Sequence, residues 1–156
     1  MLRRAWLKAV LGTVTAGMIA RDWLVEVASG QEPVALLPPA PTSLAAAIGT
    51  NSGAPVASFI LAHPTTAASA ALTDRGKMLY LMSASVPDLS DIWNRNSFRV
   101  QAEYERAALV ILKGIESRPA DLATIVKSVG GKALIERRIP AIQSAELKKI
   151  AIAAIK

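Results

Sequence analysis

From Thr65 onward, apolar residues recur every three or four positions between polar ones, the spacing of helices with one buried face. Thr65 or Thr66 is placed to cap a helix reaching about Ser85, with Ala70, Ala71, Met78, Leu79 and Leu81 as its apolar surface, before Pro87 interrupts it. A second helical region is expected from near Asp88, bending around Asn94-Arg95-Asn96. It continues through Phe98, Ala102, Ala108, Leu109, Leu112 and Ile115 until Arg118-Pro119. A third, about Ala120–Val129, offers Leu122, Ile125, Val126 and Val129 for burial, and Gly130-Gly131 ends it as a glycine cap would. A short piece, Lys132–Ile139, precedes Pro140, and a last helix runs to Ile155 with Leu147, Ile150, Ala151 and Ala154 inward. Residues 65–156 thus predict an all-α small helical bundle.

The preceding residues follow another pattern. No charged side chain occurs from Pro33 to Thr73, forty-one residues in a row. Pro33, Pro38, Pro39 and Pro41 make its start extended, and two short apolar pieces, Ser43–Ile48 and Val56–Ala62, flank the turn formers Gly49-Thr50-Asn51-Ser52-Gly53. Residues 31–64 are therefore expected to be an uncharged, Pro/Ala-rich linker or loosely packed segment, with insertion into a membrane or partner as the alternative.

Residues 1–30 form a third pattern. Arg3-Arg4-Ala5-Trp6-Leu7-Lys8 leads into the uncharged run Ala9–Ala20, and Ala28-Ser29-Gly30 supplies small residues further on. Twelve uncharged residues rise about 18 Å as a helix, against about 30 Å for a hydrocarbon core, so the run suits a signal better than a stable span. The motif at Arg3, Arg4, Trp6, Leu7 and Lys8 resembles the core of twin-arginine signal peptides, with Trp6 where phenylalanine is usual. The resemblance covers only these thirty residues. It implies a periodic export route for a folded protein into the periplasm, with inner-membrane association as the alternative. A plain first helix is also compatible with the pattern, since Leu2, Trp6, Ala9, Val10, Thr13, Gly17, Ala20 and Leu24 fall near one helical face.

Composition narrows the chemistry. Hydrophobic residues make up 52% of the chain but aromatics only 4%, so alanine and aliphatic side chains must build the core, which suits closely approaching helices. There is no cysteine, hence no disulfide or thiolate. The net charge is +6, and taking away the four basic and two acidic residues of 1–30 leaves +4, a mild excess that singles out no partner. The lone histidine, His63, has no ligating neighbours in sequence, and no phosphate-binding glycine loop or glycine-flanked serine occurs. Asp88 and Asp91 read as a helix cap and a dipole partner rather than an acid–base pair. No catalytic, metal or cofactor-binding residue is expected.

Two clusters remain as candidate partner-binding residues. Trp93, Arg95, Phe98 and Arg99 interleave aromatics with arginines, and Arg137-Arg138 form a basic pair. Another protein is the expected partner, ahead of a membrane surface and well ahead of nucleic acid. The functional expectation is an exported helical accessory or structural binding subunit. A membrane-associated structural or lysis-type protein with a retained first helix comes second, and an independent enzyme third.

Overall fold

Where the computed structural model describes the chain, at residues 36–85 and 95–156, the backbone is helix, turn or bend, and no strand occurs among the described residues. The signal-like residues 1–30, the Asp88/Asp91 pair and Trp93 lie outside the described residues.

Among the described residues, eight α-helices follow one another. Ser43 caps α1 (Leu44–Gly49), its hydroxyl accepting from the Ala46 N–H at 3.1 Å. The chain turns through Asn51 at φ 52°, a left-handed conformation that asparagine tolerates, and enters α2 (Gly53–Ala62). Pro64 starts α3 (Pro64–Ser69) where its missing N–H is harmless, and α4 spans Leu72–Ser85. The long α5 (Arg95–Leu112) and α6 (Pro119–Ser128) follow. At the end of α6, Gly130 N donates to Lys127 O at 3.3 Å and Gly131 N to Val126 O at 2.9 Å, the paired bonds of a Schellman cap. Gly130, the residue after the cap, has the positive φ that the motif requires, and Gly131 has a positive φ as well. Then come α7 (Lys132–Arg138), a 3₁₀ turn at Ile139–Ala141 and α8 (Ala145–Ala154).

Helix α2 packs against α1, α3, α4 and α5, which explains its sequence, GAPVASFILA. With its inner face buried and its outer face, at Ala54, Pro55, Ser58 and Leu61, still half-covered, it needs no charged stripe. Val56, Ala57, Phe59 and Ile60 are buried. The expectation of a linker over 31–64 is therefore corrected from residue 44 onward. The uncharged residues there belong to the core, and α2 spends its apolar surface inside the body rather than on lipid. The Pro-rich entry is itself tied down, the Ser58 hydroxyl donating to the Pro38 carbonyl. The single helix expected from Thr65 to Ser85 is also corrected: it is two, broken at Ala70, whose extended ψ of 158° ends α3.

Helices α4 and α5 are shared by two groups. One contains α1–α3, while α6 packs on α4 and α8 packs on α5 and α6. Small residues allow the closest approaches, as the scarcity of aromatics requires. Ala47, Ala57, Ala67 and Ala107 are fully buried, and Gly76 of α4 lies so near Ser128 of α6 that a Cβ there would overlap the serine side chain. Gly53 is equally confined: its N–H donates to Ser85 Oγ at 3.1 Å, joining the start of α2 to the end of α4. Of the inward residues expected for the last helices, Leu122, Ile125, Val126, Val129, Leu147 and Ile150 are buried, while Ala151 and Ala154 are half-buried. No helix among the described residues is long and apolar enough to cross a membrane.

Candidate functional site

The second half of α5 carries an apolar face interrupted by two polar residues one turn apart, Gln101 and Glu105, both more than nine-tenths buried. A buried carboxylate must be hydrogen-bonded or neutralised. Glu105 meets this need with the chain entering α8. Its Oε2 accepts from Ser144 N at 2.7 Å and its Oε1 from Gln143 N at 2.9 Å, so the negative charge sits at the positive end of that helix. Gln101 completes the junction, its Nε2 donating to Glu105 Oε1 at 2.9 Å and to Ala141 O at 2.7 Å. The Ser144 hydroxyl accepts from Leu147 N at 3.2 Å as the helix's own cap. At the surface, Lys113–Glu146 (3.2 Å) and Lys149–Glu116 (3.6 Å) join the same two chain regions, exposed pairs that contribute little.

Holding α8 in this way completes a cavity of about 580 Å³ bounded by α4, α5, α6, α7 and α8. Met82, Leu112, Leu122, Ile125, Leu147 and Ile150 are among its walls, and each of these is buried. Ser83, Ala108, Leu134, Ile142, Ala151 and Ala154 line it too and are only half-buried, so the space is a deep pocket with a buried floor and a side open to solvent. Of the lining side chains, Arg137 alone is exposed, which places the mouth at α7. The neighbouring Arg138 lines the same end and is half-buried, engaged with another group. Arg137 has no hydrogen bond or ion pair among the described residues. Tyr104, which also lines the pocket, has its hydroxyl pushed above the usual tyrosine range by burial, and a hydrogen bond with Ser85 pulls it part of the way back.

The expected partner-binding residues thus separate. Arg137 and Arg138 line the cavity, whereas Arg99 is exposed on α5 and is not part of it. Arg95 and Phe98 belong to the first turn of α5, and Trp93 falls outside the described residues. His63 is exposed at the junction of α2 and α3, its ring 5.0 Å from that of Phe59. No group of three potential metal ligands occurs among the described residues. Sequence reasoning missed Gln101 and Glu105. The available signal was a glutamate on the apolar face that also carries Ala102, Ala108 and Leu112.

The chain matches no protein-family model, no curated protein and no solved structure.

Proposed function

We propose that this is a small exported helical protein that works by binding, as an accessory or structural subunit of a larger envelope complex. The observation that supports a binding role is the pocket of about 580 Å³, within the size range of small-ligand sites, with a mostly apolar lining and a few polar groups. The subunit role is supported only by the export resemblance. The buried carboxylate beside it already accepts from two backbone amides and a glutamine, which suits a part that shapes the site. The exported location rests on the resemblance of Arg3-Arg4-Ala5-Trp6-Leu7-Lys8 to a twin-arginine signal.

The test is to express the full chain with a C-terminal tag, measure the mass of the mature protein and size the periplasmic material. A start near Gln31, together with a defined complex that survives size-exclusion chromatography, is the expected result. An intact Met1 in the membrane fraction would favour the retained-anchor reading instead. A processed, monodisperse protein of monomer size would rule out the accessory role.

A further inference from the structure

The shape and chemistry of the cavity narrow what it can hold. The floor of the pocket, at Met82, Leu112, Ile125 and Ile150, is buried and apolar, and its rim is half-buried. A deep apolar pocket of this size suits a small molecule, and its one exposed lining residue is a cation with no partner among the described residues. Its volume of about 580 Å³ falls in the range of small-molecule sites, with room for one alkyl chain.

We propose that the cavity is a site for a single-chain amphiphile with an anionic head, a long-chain carboxylate, its chain among α4, α5, α6 and α8 and its head at Arg137. The Glu105 charge does not oppose this, because its oxygens are turned to the Gln143 and Ser144 amides. Arg137 supplies a guanidinium at the only lining position that solvent reaches freely, where a carboxylate can keep part of its hydration while its chain leaves water. The assignment rests on the reading of this cavity as the binding site, but not on export or on an accessory role.

Calorimetric titration of the full chain with octanoate, decanoate, dodecanoate and tetradecanoate, each below its micelle concentration, tests it. Dodecan-1-ol and dodecyltrimethylammonium serve as neutral and cationic counterparts. Affinity is expected to rise about tenfold for every two methylenes added, the gain expected from burying them. Arg137→Gln, at an exposed position, should weaken dodecanoate about five- to tenfold and leave dodecan-1-ol unchanged. Ala151→Phe, which adds a ring to a cavity wall, should weaken both ligands more than twentyfold with the circular dichroism spectrum retained. Equal binding of the three twelve-carbon heads would overturn the anionic assignment while leaving the cavity reading intact. No binding by any of these chains, or undiminished binding by a folded Ala151→Phe variant, would overturn both.

Discussion

Replacing Glu105 by alanine takes away the acceptor that joins α5 to the start of α8. Two backbone donors, Gln143 N and Ser144 N, lose their partner, and Gln101 keeps only its bond to Ala141 O. Hydrogen bonds to a charged group contribute about 1.5–3 kcal/mol each, and the helix-terminal charge adds up to about 2 kcal/mol in a partly buried setting. Both amides are only part-buried, so water recovers some of this loss. A net cost of about 3–4 kcal/mol is expected for Glu105→Ala. Glu105→Gln keeps the shape and one acceptor oxygen but loses the charge, and should cost about half as much. Urea unfolding of the full chain, followed by circular dichroism at 222 nm, reads the difference. With a slope of about 1.5–2 kcal/mol per molar, the alanine variant should unfold roughly 2 M earlier. A second arm combines Glu105→Ala with Gln101→Ala, and the two losses should fall short of additive because the residues share one network. A cost below about 1 kcal/mol for Glu105→Ala would refute the view that this carboxylate holds α8 in place.

Three further outcomes follow from the packing. Phe59→Ala in α2 should destabilise the protein by about 3–4 kcal/mol in the same assay, where a residue in a loose linker would cost almost nothing. Gly76→Ala would gain about 1 kcal/mol in an open helix, but here the new methyl meets Ser128 Oγ and Cβ, so a net loss of about 1 kcal/mol is expected, relieved by adding Ser128→Gly. Tyr104 binds its proton more tightly folded than unfolded, so its contribution to stability is complete below about pH 10, the unfolded value, and is lost as pH rises through the folded value. Stability measured against pH should therefore fall more steeply at alkaline pH in the wild type than in Tyr104→Phe, and parallel curves would refute the assignment.

The sequence was most legible where helices have one wet face. The apolar positions of α6 and α8 recur at three- and four-residue spacing because the opposite faces meet solvent, and proline and glycine mark the ends of α6 plainly. Helix α2 was illegible for the same physical reason. Packed against four other helices, it has no polar stripe, so its ten residues show no periodicity and read as filler between prolines and turn formers. The break at Ala70 was hidden too, since Ala70-Ala71 is favourable inside a helix and only the packing of α3 on α5 separates it from α4. Of the site, Arg137 and Arg138 were visible as a basic pair, but nothing in their spacing announces a cavity. That cavity is made by five helices distant in sequence, held by bonds between residues 38 or 39 positions apart.

The size of the cavity also bears on why it opens at α7. A dry void of this kind weakens a protein by about 24 cal/mol per Å³, so a sealed and empty space of about 580 Å³ would cost on the order of 14 kcal/mol. That is as much as the whole stability of an ordinary domain, about 5–15 kcal/mol. The pocket escapes that penalty because it is open on one side, where water or a guest fills it. Arg137 at the mouth provides the route, and Gln101 and Glu105 stiffen the wall that would otherwise collapse inward. The Glu105 junction and the cavity are thus one arrangement: the bonds that dock α8 fix the wall across from α4, and the space between is kept open because both sides are anchored. A guest that fills it should stabilise the fold in proportion to RT ln(1 + [L]/Kd), about 2.7 kcal/mol at a hundredfold excess over Kd. That gain should offset most of the loss in Glu105→Ala if the wall still forms, and none of it if α8 has come away.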